Sequence, residues 1–213
     1  MTQPSKKKKM SFTNKLRAGF RWLLEPIARF LSRLGVRPNT VTLVGLAGTV
    51  GCAVLIALGQ MPWAGLLLLV MGPIDALDGT LARLRNEASD WGAFVDSVTD
   101  RYSELLIFLG FTVYYLLHAN ATGVILAYLA AAGSVLVSYV KARADASKLD
   151  ADVGLLTRAE RYVVLIPGLV FSFLTPALPM AALIIIATLA NFTALQRIFR
   201  VRRDAHRRMI QTK

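Results

Sequence analysis

The 213-residue sequence has one cysteine, Cys52, so no intrachain disulfide can brace the fold. Cys52 lies in an apolar segment, where a thiol reads as a small buried hydrophobe. The form of a cleavable signal peptide is missing, because the run Lys6–Lys9 leads into sequence studded with Lys and Arg rather than into a short apolar region. No internal repeat stands out, and the lysine run is the one low-complexity stretch. Acidic residues are scarce, 13 against 25 Lys and Arg, for a net charge of +12. Charge of either sign is absent from three long stretches, 38–74, 105–140 and 162–196. With 55% hydrophobic residues and a mean hydropathy of +0.51, these absences exclude a disordered chain and argue against a water-soluble globule.

One apolar helix needs about 20 residues to cross a hydrocarbon core. Each uncharged stretch is too long for one crossing and suits two. Each also breaks near its middle, at Gly59-Gln60-Met61-Pro62, at His118-Ala119-Asn120-Ala121 and at Thr175-Pro176-Ala177-Leu178-Pro179. The expected fold is therefore an all-α integral membrane protein of six transmembrane helices paired as three hairpins. The first begins after Arg37-Pro38, where Asn39 or Thr40 can cap it. The others fall at about 63–85, 91–117, 122–144, 160–174 and 179–200. All 25 basic residues then lie on one side: in the first 37 residues, in 81–104, in 141–161 and from Arg197 onward. By the positive-inside rule both termini are cytoplasmic.

Residues 10–36 alternate Leu16, Phe20, Leu23, Leu24, Ile27, Leu31 and Leu34 with Lys15, Arg17, Arg21, Arg29 and Arg33 at helical spacing. This predicts an N-terminal amphipathic helix lying in the membrane interface, kinked or restarted at Pro26; packing on a partner protein is the alternative. Three regions follow: a basic tail and juxtamembrane helix over 1–37, a six-helix catalytic domain over 38–200, and a basic cytoplasmic tail over 201–213. The lysines beside a bilayer attract anionic lipid, and nucleic-acid binding is not expected.

The chemistry is carried by acids inside apolar helices. A lone Asp at the centre of a membrane helix costs about 2.5–3.5 kcal/mol, yet Asp75 and Asp78 sit in the second span and Asp96 and Asp100 in the third. Each pair shares a helix face. A short turn near 85–90 would fold the two helices antiparallel with the pairs opposed, making an oxygen-rich cage for one or two hard divalent cations, Mg²⁺ or Mn²⁺. Gly79 and Gly92 leave room for a ligand or a neighbouring helix, and Arg83 can hold a phosphate. Packing against Arg83, Arg85 and Arg101 alone is the plainer alternative.

The stretch Asp75-x2-Asp78-Gly79-x2-Ala82-Arg83-x8-Gly92-x3-Asp96-x3-Asp100 resembles the complete signature of the CDP-alcohol phosphotransferase family. The resemblance implies transfer of a phosphatidyl group from CDP-diacylglycerol, or a similar CDP-linked lipid, to a hydroxyl acceptor with release of CMP. It implies that Asp75, Asp78, Asp96 and Asp100 hold two Mg²⁺ or Mn²⁺ ions and that Asp100 is also the general base. It further implies that Asn39, Thr42, Asp75, Asp78, Gly79, Ala82, Arg83 and Ser89 contact the CDP-lipid and that the protein is a homodimer. The setting implied is the plasma membrane of a bacterium or archaeon, with the active site cytoplasmic.

A second basic cluster, Lys141, Arg143, Arg158, Arg161 and Arg197, falls on the same side as the aspartates and suits a phosphorylated acceptor. Positive-inside bias alone would also put cations there. The run from Ser138 to Ala146, with Arg158-Ala159-Glu160-Arg161, is similar to the members of that family that use inositol phosphate. The resemblance implies that Lys141, Arg143, Arg161 and Arg197 bind the acceptor's phosphate; the sequence departs from those members at Arg158 and Tyr162, and Arg158 is counted with the site as part of the same basic cluster. Glycerol 3-phosphate is the alternative acceptor. A cation channel or transporter and a non-catalytic scaffold are the rivals from other classes; a channel would need polar residues through the opposite half of the membrane, which is almost wholly apolar.

Overall fold

The computed structural model describes the backbone of residues 24–211 and their side chains except at positions 75, 76 and 211. The lysine run and the first half of the amphipathic segment lie outside the described residues. Within them the chain is helical, with no strand: α1 (24–33), α2 (Pro38–Ala57), α3 (Met61–Leu84), α4 (Asp90–Leu117), α5 (Ala121–Ala146), α6 (Arg158–Val170) and α7 (Ala177–Gln211), with a 3₁₀ turn Phe171–Phe173 after α6.

Local chemistry sets these boundaries. Pro38 and Pro62 open α2 and α3, where a missing N–H costs nothing. Ser89 Oγ accepts the Gly92 N–H at 3.1 Å and Asn120 Oδ1 accepts the Gly123 N–H at 2.9 Å, capping α4 and α5. Thr157 and Glu160 form a capping box on α6. The N-cap of α2 is Arg37, without a side-chain bond, so neither Asn39 nor Thr40 caps it. All three breaks expected between paired helices are turns, while α7 continues as helix to Gln211, well past the expected end near 200.

The helices contact one another in a ring, in the order α2, α3, α6, α7, α5, α4 and back to α2. Helices α3 and α4 alternate in direction but do not pack directly on each other: both pack on α2, which lies between them in the ring. Small residues let α2 in: a Cβ added at Gly48 would lie 2.1 Å from Met71 Sδ of α3, and one at Gly110 of α4 would lie 2.5 Å from the Ala53 carbonyl oxygen of α2. In α1, Leu24 and Ala28 pack with Val41, Leu77 and Leu81.

Among the described residues four helices, α2, α3, α5 and α7, are long and apolar enough to cross a membrane. Helix α4 carries Asp90, Asp96, Asp100, Arg101 and Glu104 before its uncharged part, and α6 has only 13 residues. In α4 the interruption lies at the end of the ring where charge is concentrated, whereas α6 also gives way at its other end to the 3₁₀ turn Phe171–Phe173. The outward faces expose Leu43, Val54, Leu69, Ile125, Tyr128, Ile184 and Phe192, a surface suited to hydrocarbon.

The close approach at Gly110 is a stability test. Gly110→Ala puts a methyl group against backbone and should cost about 1–3 kcal/mol, seen as a lower Tm in detergent. Gly72→Ala, whose new methyl meets nothing within 4 Å, should leave the Tm unchanged.

Candidate functional site

Short turns make successive helices alternate in direction. The start of α2, the end of α3, the start of α4, the end of α5, the start of α6 and the later part of α7 therefore meet at one end of the ring. That end receives Thr42, Asp78, Asp96, Asp100, Lys141, Arg158, Arg161 and Arg197.

Asp78 is buried on α3. It accepts the Thr42 hydroxyl of α2 at 2.6 Å through one oxygen and the Gly79 amide through the other. Two donors, one on each oxygen, fix the plane of this carboxylate. Thr42, expected at the nucleotide, thus holds an expected metal ligand. Asp96 is half-buried on α4 one turn before Asp100. The Asp75 backbone lies one turn before Asp78; its side chain is outside the described set. Among the described residues no group of three or more His, Cys, Asp and Glu is gathered as a metal site. The donor chemistry nonetheless fits a hard divalent cation, since Asp78, Asp96 and Asp100 offer only carboxylate oxygens, on two helices kept apart by α2.

Asp100 is mostly buried and engages the Arg158 guanidinium of α6, with Arg101 Nη2 at 3.7 Å. Arg101 is itself steered by a 2.7 Å bond to Ser138 Oγ on α5. Arg158 donates to the Tyr162 hydroxyl at 3.3 Å and lies 5.4 Å from that ring's centroid. Arg158, expected at the acceptor phosphate, therefore sits on the expected base.

The remaining cations converge on the loop between α5 and α6. Lys141 reaches Asp152 at 2.7 Å and Asp145 at 2.8 Å. Arg197 donates to the Val153 carbonyl at 2.9 Å and the Val137 carbonyl at 2.7 Å. Arg161 donates to the Leu156 carbonyl and to Glu104, each at 3.0 Å. Thr193 Oγ1 accepts the Leu155 and Leu156 amides, both at 3.2 Å, and Gly154, at φ +135°, lies against Thr193 where a Cβ would come within 2.4 Å of its methyl. Asp150 ties the same loop to Arg200. The Asp152 amide first, and then the Arg200 guanidinium, hold the Asp150 carboxyl below the usual carboxylate range, so this tie persists at neutral pH and is lost only as acid protonates Asp150.

The other expected residues are more peripheral. Arg83 is exposed and donates to Thr80 Oγ1 at 3.2 Å. Asn39 and Arg143 are exposed, Ala82 is half-buried, and Ser89 serves as a helix cap. Sequence reasoning overlooked Glu104, although it is the last charge before the uncharged stretch 105–140 and lies one turn after Asp100. Glu104 and Arg161 are 3% and 2% exposed. Two charges this deep cost several kcal/mol each in desolvation, offset here by their pairing. Thr193, Asp150 and Asp152 were overlooked too; only the uncharged setting of Thr193 marked it as unusual.

Comparison with known proteins decides what this geometry belongs to. Residues 36–196 match the CDP-alcohol phosphatidyltransferase family. The chain belongs to that family. Among its relatives, the phosphatidylinositol phosphate synthase of Streptomyces avermitilis is 37% identical over 200 residues, which covers 89% of this chain and 82% of that protein. The crystal structure of Mycobacterium tuberculosis phosphatidylinositol phosphate synthase with CDP-DAG bound is 30% identical and superposes with a TM-score of 0.78, covering 84% of this chain and 92% of that one. A crystal structure of the same mycobacterial enzyme with manganese and citrate also reaches 0.78 at 30% identity, over 84% of this chain and 88% of that one. As a CDP-alcohol phosphatidyltransferase the chain is a transferase and a multi-pass membrane protein, and its family fits a divalent metal.

The Thr42 to Asp78 bond is testable without catalysis. Thr42→Val leaves packing nearly intact but removes one donor from the carboxylate, and Mn²⁺ affinity read by electron paramagnetic resonance should fall about tenfold. Unchanged affinity would show that Asp78 does not need this orientation.

Proposed function

We propose that this protein transfers the phosphatidyl group of CDP-diacylglycerol to a hydroxyl of inositol phosphate, releasing CMP. The observation that carries this reading is the meeting of acids and cations at one end of the ring: Asp78, Asp96 and Asp100 face the same end as Lys141, Arg161 and Arg197. The names of the relatives agree with it.

Asp75, Asp78, Asp96 and Asp100 would hold two Mg²⁺ or Mn²⁺ ions, which when bound supply charge neutralisation on the pyrophosphate. The CDP-lipid contacts are Asn39, Thr42, Gly79, Ala82, Arg83 and Ser89, with exposed Arg83 suited to a phosphate of the CDP-lipid. Lys141, Arg161 and Arg197 recognise the acceptor's phosphate, with Arg143 as an outer cation. Asp100 takes the proton of the attacking hydroxyl. That oxygen bonds to the phosphorus bearing the diacylglycerol as the bond to the bridging oxygen breaks, and CMP leaves with the bridging oxygen. Arg158 orients Asp100 and joins the base to the acceptor side.

In this reading all six helices α2–α7 span the membrane, α4 and α6 being short of apolar length only where they form the site. Helix α1 lies in the interface. The regions of this reading divide near 37 and 200, although α7 runs through the second boundary to Gln211. The setting is a bacterial or archaeal plasma membrane with the site and both termini cytoplasmic, which the one-sided placement of the basic residues supports. The active unit is a homodimer, testable by mass determination in detergent. Glycerol 3-phosphate is the second reading of the acceptor, because the same cations suit any phosphorylated polyol. The uncharged turns at the opposite end disfavour a cation pathway.

Purified protein given CDP-diacylglycerol, Mg²⁺ and inositol phosphate should release CMP, and omission of the metal should abolish release. Failure with every hydroxyl acceptor would refute the reading. Asp100→Asn should lower kcat by at least about 10²-fold while CDP-diacylglycerol still binds. Lys141→Ala should raise the KM for inositol phosphate and leave that for CDP-diacylglycerol unchanged.

A further inference from the structure

The buried Glu104 has no place in the chemistry above. Its carboxylate meets Arg161 in a one-sided way: Nε and Nη2 of the guanidinium both reach Oε1, and Oε2 is buried with no hydrogen-bond partner among the described residues. Arg161 Nη1 goes to the Leu156 carbonyl at 3.0 Å. These bonds use three of the guanidinium's five N–H groups, which fixes its plane and leaves one N–H on each of Nη1 and Nη2 for an acceptor's phosphate. The other acceptor-side cations are held differently: Lys141 by exposed carboxylates, Arg197 by backbone carbonyls, and Arg143 lies exposed. If the pair served only to join α4 to α6, apolar side chains of similar size would do so without desolvating two charges or leaving an oxygen unsatisfied.

Position supplies the reason for an ion pair here. Glu104 follows Asp100 by four residues, so both lie on one face of α4, about 6 Å apart along its axis. Arg158 and Arg161, three residues apart on α6, answer them pair for pair. We propose that Glu104 is a positioning residue for acceptor recognition: it fixes the Arg161 guanidinium one helical turn from Asp100, so that α4 sets the separation between the cation that holds the acceptor's phosphate and the carboxylate that takes its proton. This rests on the function proposed above. It makes α4 a gauge that favours acceptors whose phosphate and reacting hydroxyl are about one helical turn apart.

The test is Glu104→Asp, which keeps the charge but withdraws it by one methylene. The KM for inositol phosphate should rise about tenfold, with kcat, the KM for CDP-diacylglycerol and the Tm nearly unchanged. An unchanged acceptor KM, or a fall in kcat with both KM values unchanged, would overturn the role. A second variant exchanges the partners, Glu104→Arg with Arg161→Glu, restoring the pair but moving the cation to α4. It should recover the Tm without recovering the acceptor KM; recovery of both would make the pair merely structural. If Glu104→Asp does not fold, the exchanged pair decides. Wild-type protein that releases no CMP with inositol phosphate refutes the proposed function, whereas active wild type with an unaltered Glu104→Asp refutes only this inference.

Discussion

Across the ring, two arginines one turn apart on α6 reach two carboxylates one turn apart on α4, and the charged end of the molecule is organised on that ladder. Helices α4 and α6 are not neighbours in the ring, so long side chains rather than packed backbones connect them. In the Glu104–Arg161 pair neither partner is tolerable alone, because removing one leaves a buried charge uncompensated. The ladder fixes the start of α6, and with it the loop whose carbonyls engage Arg161 and Arg197.

The rest of the fold serves to make such an end possible inside an apolar body. Glycine and alanine contacts let α2 stand between α3 and α4, so the aspartate faces are held apart instead of pressed together. Space between carboxylates is what a cation and a pyrophosphate require, and a tight α3–α4 hairpin would have closed it. Alternation of helix direction brings the cations of α5, α6 and α7 to the same end. The opposite turns carry no charge, and the outer faces carry aliphatic and aromatic side chains. Acids and bases are thus segregated by sequence position and reunited by topology.

Much of this was legible in the sequence because charge is so costly in hydrocarbon that its absence marks helices and its presence marks chemistry. The breaks at 59–62, 118–121 and 175–179 fell where the turns are, and the Asp78, Asp96 and Asp100 spacing gave the helix faces. What pattern could not give was lateral order. Nothing in the turn at 85–89 says that α2 separates the two helices it joins; that follows from a close approach at Gly110, visible only once the helices are packed. Pairing was equally hidden. Arg158 and Arg161 read alike as cations at a helix start, yet one lies on Asp100 and the other on Glu104. Helix α7 outran its apolar stretch because Arg and Ala are good helix formers and no breaker follows Arg200.

The most direct measurement offers the enzyme CDP-diacylglycerol and Mg²⁺ with inositol phosphate, glycerol 3-phosphate, inositol and serine together in equal amounts, and weighs the lipid formed by mass spectrometry. If carboxylates and phosphate-reading cations form one site with its acceptor set by the Arg161 anchor, the product is phosphatidylinositol phosphate. Phosphatidylinositol or phosphatidylserine as the main product would contradict a phosphate-reading pocket, and phosphatidylglycerol phosphate would contradict inositol phosphate as the acceptor.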